Sequence, residues 1–274
     1  MDVDLNPQTQ RPTRDASGNA IWRPSGALTA VPGGLPSGSP AGLPMRVAPI
    51  RFRHIALLLL GGIIGGMILG ILASLGAYEF TKSKFVTGTV FGFTLYGSLI
   101  LGYHWSAQER NWLSLRGRFA PIGRTPLMLG ALAAPALIAL TSMLGLMLKM
   151  AGISLKDTPD LPILPHHWVQ LPFALLLIVI LAPICEELIF RGLLLDWLQQ
   201  KMNVWIAALI LSVVFSLLHS NPFSLGAVGW LAFFHRFLIG ISASALAIKY
   251  RSLWPSFTLH ATVNGIACIA AMVE

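Results

Sequence analysis

A charged cluster inside a long apolar run places the strongest constraint on how this chain can fold. Residues 169–198 are long enough to cross a bilayer, yet they contain Glu186, Glu187 and Arg191. On insertion scales, an Asp, Lys or Arg at the centre of a membrane helix costs about 2.5–3.5 kcal/mol. Since a helix tolerates such a cluster only where partners face it, we expect the rest of the chain to supply partners at this depth.

Helical spacing divides the cluster into two parts. Glu187 and Arg191 are four residues apart, so they share one face of a helix and are expected to pair. Glu186 is rotated by about 100° from Glu187 and is left to face other groups. Pro183 lies just before the cluster, where it removes one helix hydrogen bond and opens the backbone beside the carboxylates.

Composition indicates an integral membrane protein. Of the 274 residues, 55% are hydrophobic and only 11% are charged, whereas about 25% are charged in soluble proteins. The net charge of +8 does not indicate a nucleic-acid partner, because the basic residues are scattered between apolar runs, where they anchor membrane loops. The two cysteines, Cys185 and Cys268, lie within apolar runs and are predicted to be buried and unpaired.

The pattern of apolar runs predicts an all-α, polytopic membrane helix bundle with about seven spanning helices. Residues 1–45 are rich in Pro, Gly, Ser and Ala and are predicted to form a disordered cytoplasmic tail. The start of the chain shows no signal-peptide pattern. Residues 46–164 are expected to hold the N-terminal membrane helices, and residues 165–274 a C-terminal helical core. The predicted spans, each near the 20 or so residues that a bilayer needs, are 55–78, 85–103, 126–148, 169–198, 204–219, 228–248 and 253–273.

The distribution of Lys and Arg predicts a cytoplasmic N-terminus. With this orientation, ten basic residues in the segments flanking the spans lie inside and four lie outside, as the positive-inside rule requires. Segment 104–124 mixes aromatic residues with arginines. It fits either an amphipathic helix along the inner membrane surface or a plain basic loop, and both interpretations remain open.

Three further polar residues are expected at the depth of Glu186. The fourth and fifth spans form a hairpin, and Glu186 and His219 each lie about 24 Å from its turn at 1.5 Å per residue. His260 and Asn264 share one face of the last span. Such residues can also be structural, since histidines near helix ends often cap them and buried polar groups often link helices. Six polar groups on three of the later spans nevertheless favour a site.

His235 and Arg236 are harder to place. If the sixth span begins near residue 225, Arg236 lies within the membrane and is functional by default. If residues 220–232 form a loop, Arg236 extends its charge to the outer boundary. Pro222 and two glycines favour the loop, so Arg236 is left outside the predicted site.

The residue types in the predicted site suit the hydrolysis of an amide. A carboxylate such as Glu186 in an apolar pocket can act as a general base toward water. His260 and Asn264 could donate hydrogen bonds where an oxyanion forms. Glu186, His219 and His260 also make a plausible zinc set with water as the fourth ligand. The His-Glu-x-x-His motif is absent, so zinc and a metal-free glutamate-activated water remain equally open.

Three short motifs resemble the signature of a known family. Glu186-Glu187-x-x-x-Arg191, Phe215-x-x-x-His219 and His260-x-x-x-Asn264 resemble the motifs of the CAAX prenyl protease and bacteriocin-processing family of intramembrane proteases, the CPBP or Abi family. Ser252-Leu253-Trp254-Pro255 is also similar to the family, and the resemblance covers roughly residues 165–272.

The resemblance implies that the C-terminal core is catalytic and assigns roles to its residues. Glu186 corresponds to the water-activating carboxylate and His219 to its water- or metal-positioning partner. His260 and Asn264 correspond to transition-state stabilisers, and Glu187 and Arg191 complete the first motif.

The functional prediction is therefore an intramembrane endopeptidase that hydrolyses membrane-associated proteins or peptides. The short loops and the lack of a transit peptide favour the bacterial inner membrane. One alternative is a proton-coupled transporter, because buried Glu, His and Arg also serve proton relays. Against it, the polar residues crowd into the C-terminal half, whereas many transporters have matching helix breaks in both halves. A second alternative is a non-catalytic bacteriocin-immunity or scaffold membrane protein.

Overall fold

The chain folds into packed helices in a computed structural model that describes residues 50–110, 114–155, 167–220, 222–223 and 226–272. Within these ranges there are helices and no strands, so the prediction of an all-α polytopic bundle is confirmed. The helices are α1 (Phe52–Thr81), α2 (Lys84–Glu109), α3 (Leu115–Arg118), α4 (Arg124–Met150), α5 (Leu171–Leu198), α6 (Val204–His219), α7 (Gly226–Tyr250) and α8 (Trp254–Ala270).

The seven predicted spans each coincide with one of the described helices, but the helices differ in length. By length and composition, α1, α2, α4, α5 and α7 can cross a membrane. Helices α6 and α8 have 16 and 17 residues, fewer than the 20 or so that a full crossing needs. The protein is thus an integral membrane helix bundle. The predicted tail, residues 1–45, lies outside the described residues, and the domain boundaries and the cytoplasmic N-terminus stay predictions.

Segment 104–124 is not one surface helix in the part that the structure describes. Residues 104–109 complete α2, and α3 is a single turn. Arg118 is buried: its Nε donates to the Tyr103 hydroxyl at 3.0 Å and its guanidinium pairs with Asp196 of α5. The Arg118 carbonyl accepts from the Leu253 amide at 2.9 Å. Neither the surface-helix nor the basic-loop interpretation anticipates this clasp of Tyr103, Arg118 and Asp196, which joins α2, α5 and the start of α8.

Helix α5, which carries the charged cluster, is irregular on both sides of that cluster. Its segments Leu175–Leu181 and Leu188–Leu194 are π-helical, and Ala182–Glu187 between them is α-helical. The Ala182 amide accordingly donates to Leu177, five residues back, as the Leu195 amide does to Phe190. Sequence reasoning expected only a local opening at Pro183. Such π turns are rare and frequently lie at functional sites.

Helices α4 and α8 approach closely enough that only glycine fits at the crossing. A Cβ on Gly130 would lie 2.3 Å from the Pro255 carbonyl oxygen and 2.6 Å from Thr258 Oγ1. The Pro255 carbonyl oxygen belongs to the backbone, which cannot move aside as a flexible side chain can. Gly130 therefore sets the distance between α4 and α8, the helix that carries His260.

Replacing Gly130 by Ala should force α4 away from α8 and lower the free energy of unfolding by about 1–3 kcal/mol, the usual cost of overpacking. Gly97→Ala is the control, because no atom lies within 4 Å of its added Cβ. A thiol-reactive dye during thermal unfolding in detergent will measure both, since Cys185 and Cys268 are buried and free. Equal melting temperatures for the two variants would contradict the close approach.

Replacing Asp196 by Ala should destabilise the fold by about 1–3 kcal/mol, because it leaves the buried Arg118 charge without its partner. Burial acts to lower the pKa of Arg118, but Asp196 and Tyr103 together raise this pKa above its ordinary value. The exposed Glu79–Lys82 pair provides the matched control, and Glu79→Ala should leave the melting temperature unchanged. If Asp196→Ala and Glu79→Ala shift the melting temperature equally in the same dye assay, the clasp contributes no more stability than a surface ion pair.

Candidate active site

Helices α5, α6 and α8 bring one carboxylate and two imidazoles around a common point. Glu186 Oε2 lies 3.4 Å from His219 Nε2 and 3.6 Å from His260 Nε2. These three side chains are the set that the sequence placed at one depth. Their spacing is slightly wider than direct hydrogen bonds of good geometry, so the arrangement leaves room for a shared group.

The neighbouring carboxylate, Glu187, is fully buried and turned toward different partners. Its Oε1 accepts from Arg191 Nη1 at 3.0 Å and from His260 Nδ1 at 3.1 Å. Arg191 Nη2 also donates to the Gly240 carbonyl of α7 at 3.0 Å. The pairing of Glu187 with Arg191 follows from their four-residue spacing. The contact with His260 does not, and it makes Glu187 the group that orients this histidine.

Hydrogen bonds at Nδ1 determine what both imidazoles present to Glu186. His219 Nδ1 lies 2.8 Å from the Phe215 carbonyl oxygen and must donate to it, since a carbonyl can only accept. His260 Nδ1 donates in the same way to the Glu187 carboxylate. When these rings are neutral, both Nε2 atoms therefore carry lone pairs.

Both lone pairs are directed at an acceptor. Glu186 Oε2 is buried and has no hydrogen-bond partner within the described residues. Three acceptors that face one another require a proton, a water or a cation between them. This arrangement is the main chemical feature of the site.

Phe215 forms the wall against which the site residues pack. Its ring centroid lies 4.3 Å from that of His219 and 5.6 Å from that of His260, the latter edge to face. The Arg191 guanidinium carbon lies 5.1 Å from the same ring centroid. Phe215, which precedes His219 by four residues in the second motif, is thus the residue around which the site side chains pack.

Asn264 contacts the helix backbone rather than the two carboxylates. Its Nδ2 donates to the Ile178 carbonyl at 2.9 Å, within the first π segment of α5. This bond ties α8 to α5 one turn of α8 away from His260. The contact is structural, and the role of Asn264 as an oxyanion donor stays a prediction.

Three site neighbours were missed from the sequence. Tyr96 of α2 lies near Glu186, and Ser256 of α8, whose hydroxyl donates to the Leu253 carbonyl at 3.0 Å, lies near Glu187. Arg236 of α7 lies within electrostatic range of Glu186 and His219. A phenol in the middle of the second span is the one sequence signal that points to Tyr96.

The interpretation of residues 220–232 as a loop, which left Arg236 aside, was wrong. Helix α7 begins at Gly226, whose φ of +56° suits glycine at the turn into the helix. Arg236 therefore lies ten residues inside α7 and close to the site rather than at a membrane boundary.

The site opens at the C-terminal end of α6. The His219 side chain is 30% exposed, Glu186 is 14% exposed, and Glu187 is fully buried. A cavity of about 420 Å³ adjoins this end and is lined by Leu217, Leu218, His219, Ser220, Pro222 and Phe223. Water and an extended chain could therefore approach Glu186 past His219.

Comparison with known families places this geometry in context. Residues 168–266, which hold all three motifs, match the family described as type II CAAX prenyl endopeptidase Rce1-like. This part of the chain is similar to the Rce1-like endopeptidases and is called the Rce1-like segment. The match confirms the family resemblance and the prediction of an enzyme of the peptidase class. Comparison with curated proteins and with solved structures gives no match.

The Rce1-like segment supports intramembrane endopeptidase activity of the CAAX type in general terms. It spans α5 to most of α8 and leaves out α2 and α4, which contribute Tyr96 and the Gly130 contact. The chemistry of the water and any metal are not specified by the match.

Arg191→Met should lower the free energy of unfolding by about 3–5 kcal/mol, because it leaves the fully buried Glu187 charge unpaired. The double variant Glu187→Leu/Arg191→Met removes both charges and should recover most of that loss. The same dye assay measures both proteins. If the double variant is as unstable as Arg191→Met, the pair does not account for the stability of the segment.

Proposed function

We propose that the protein is an intramembrane endopeptidase in which Glu186 activates a water molecule for attack on a peptide carbonyl. One observation carries the proposal: the buried Glu186 Oε2 has no hydrogen-bond partner in the described chain and is faced by Nε2 of His219 and His260. A water held there can donate a hydrogen bond to Oε2 while its oxygen faces the substrate.

The reaction proceeds in two steps. In the first, Glu186 takes a proton from the water while the water oxygen bonds to the carbonyl carbon, and the carbonyl becomes an oxyanion. In the second, the proton passes to the amide nitrogen, the C–N bond breaks, and a carboxylic acid and an amine leave. The amide nitrogen needs this proton because it is otherwise a poor leaving group.

The partners of each histidine suit different parts of this reaction. His260 bonds the Glu187 carboxylate through Nδ1, which holds its ring with Nε2 toward Glu186. A proton carried at this Nε2 would be donated to the oxyanion. His219 bonds only a neutral carbonyl through Nδ1, so its Nε2 is better suited to accept from the water. Asn264 lies one helical turn from His260 and is proposed as a second oxyanion donor.

A zinc ion is the alternative activator at the same atoms. Oxygen and nitrogen ligands of one tetrahedral zinc lie about 3.3 Å apart when their bonds are 2.0–2.1 Å. The distances from Glu186 Oε2 to His219 and His260, 3.4 and 3.6 Å, are close to this value. Taken as a set, however, no three His, Cys, Asp or Glu side chains in the described ranges are arranged to hold a metal. The metal-free water is therefore proposed first, and metal dependence is left to the experiment.

The proposed substrates are proteins or peptides associated with the bilayer. The site lies between α5, which is long and apolar enough to cross a membrane, and the shorter helices α6 and α8, and it opens at the end of α6 beside a cavity that an extended chain could enter. A bacterial inner membrane is the proposed location. The transporter and the immunity or scaffold alternatives each predict no cleavage.

Glu186→Gln should lower peptide cleavage by at least about 100-fold, because the amide keeps the shape of the side chain but cannot accept a proton. Cleavage of a labelled membrane peptide library by purified protein in lipid nanodiscs is the measurement. The melting temperature should be unchanged or higher, since a buried charge is removed. Glu79→Gln, on the exposed part of α1, is the control and should retain full activity.

Full activity of Glu186→Gln together with loss in Glu187→Gln would move the base by one residue. A chelator that abolishes wild-type cleavage, with recovery on adding zinc, would select the metal-bound water. Solute transport by the reconstituted protein that is unaffected by Glu186→Gln would overturn the endopeptidase proposal.

A further inference from the structure

Ser220, which follows His219 at the end of α6, has a hydroxyl that the described chain does not use. Two serines precede it at four-residue steps, and each bonds the helix backbone: Ser212 Oγ donates to the Ala208 carbonyl at 2.6 Å and Ser216 Oγ to the Ser212 carbonyl at 2.8 Å. Ser220 breaks this series. Its Oγ is buried and has no hydrogen-bond partner within the described residues, which is costly for a hydroxyl.

The backbone of Ser220 explains why the series stops. Its φ of −147° and ψ of 139° are those of an extended strand, so it no longer continues the helix. Its N–H makes no hydrogen bond of good geometry in the described chain, whereas the residues after α1, α2, α4, α5, α7 and α8 each donate back to their own helix. Ser220 therefore has two polar groups that a ligand could satisfy.

Ser220 lies where a substrate must pass. Together with His219 it lines the cavity of about 420 Å³ beside the site. His219 Nε2 is 3.4 Å from Glu186 Oε2, and each residue of an extended chain spans about 3.3 Å, so a peptide whose carbonyl faces Glu186 has its next residues beside Ser220. Rotation about χ1 between staggered positions would turn the hydroxyl toward those residues.

The length of α6 places this end within the apolar layer of a membrane. The helix has 16 residues and is about 24 Å long, so one that starts at a boundary ends inside the roughly 30 Å of hydrocarbon. Leu217 and Leu218, just before this end, are exposed. An extended peptide in such surroundings loses water from its backbone N–H and C=O groups, and every group left unpaired is costly. The protein must therefore supply hydrogen-bond partners along the path to Glu186.

We propose that Ser220 is a substrate-binding residue that hydrogen-bonds the main chain of an extended peptide next to the bond being cleaved. Its hydroxyl oxygen accepts from a peptide N–H, and its own N–H donates to a peptide carbonyl. This pairing is a short version of the addition of a strand to a strand edge, which binds backbone rather than side chains. The inference rests on the proposed function, and it makes cleavage depend on an extended segment at the cleavage position.

The matched variants Ser220→Thr and Ser220→Val test the hydroxyl. Thr and Val have the same shape and both suit an extended backbone, but only Thr keeps the hydroxyl. With a labelled peptide in lipid nanodiscs, Ser220→Thr should keep kcat/KM within about threefold of the wild type, since the hydrogen bond is retained. Ser220→Val should lower kcat/KM by about tenfold, mostly through KM, because one bond to the bound peptide is lost. Equal values for the two variants would overturn the inference.

Peptides methylated at a single backbone nitrogen identify the partner of the hydroxyl. At one position beside the cleaved bond, methylation should lower kcat/KM about tenfold more in Ser220→Thr than in Ser220→Val, because only the first protein has a hydrogen bond to lose. Comparing the two proteins cancels the effect of the methyl group on the peptide itself. A penalty of the same size in both proteins at every position would contradict the proposed pairing.

Equilibrium binding separates this inference from the proposed function. Each Ser220 variant is combined with Glu186→Gln, and binding of the same peptide is measured. If the Ser220→Val form binds about tenfold more weakly than the Ser220→Thr form although the wild type cleaves nothing, the subsite stands and the endopeptidase proposal fails. If the wild type cleaves and the two forms bind equally, the endopeptidase proposal stands and the subsite fails. Binding by neither form also overturns the subsite.

Discussion

The buried ion pair of Glu187 and Arg191 is the interaction on which the rest of the C-terminal bundle depends. Both side chains are almost completely removed from solvent, so each needs the other and further hydrogen bonds. Those bonds go to His260 on α8 and to the Gly240 carbonyl on α7. One pair on α5 therefore fixes the rotation of two other helices. Phe215, beneath the guanidinium, adds α6 to the same contact.

Two adjacent carboxylates have different tasks because a helix turns about 100° between them. Glu187 faces the protein interior and compensates charge, while Glu186 faces the opening beside His219. The histidines follow the same division. Each uses Nδ1 to hold its own position, and each leaves Nε2 for the shared point. The protein thus leaves Glu186 Oε2 and the two Nε2 atoms facing one another by satisfying the other polar atoms elsewhere.

Arguments that depend on regular helix geometry and on hydrophobicity could be made from the sequence. The seven apolar runs, the Glu187–Arg191 pair and the similar depth of Glu186 and His219 all belong to this class, and all agree with the described structure. Contacts between elements distant in the sequence could not be derived. The Arg118–Asp196 pair joins residues 78 positions apart, and Tyr96 reaches the site from a helix with no motif. Arg236 was misplaced because Pro222 and the glycines suggested a longer loop than exists.

The two π segments of α5 have a consequence for how the chain can change by insertion and deletion. A π turn accommodates one more residue than the α-helical path it replaces. Loss of one residue from Leu188–Leu194 can therefore be absorbed by a return to regular helix, whereas the same seven residues wound as a regular α-helix would turn everything beyond them by about 100°. Glu186 and Glu187 would keep their orientation, but Asp196 would swing away from Arg118. The second π segment therefore sets how far the end of α5 is rotated relative to the carboxylates. With this rotation, one helix can direct Glu186 and Glu187 into the site and Asp196 toward Arg118.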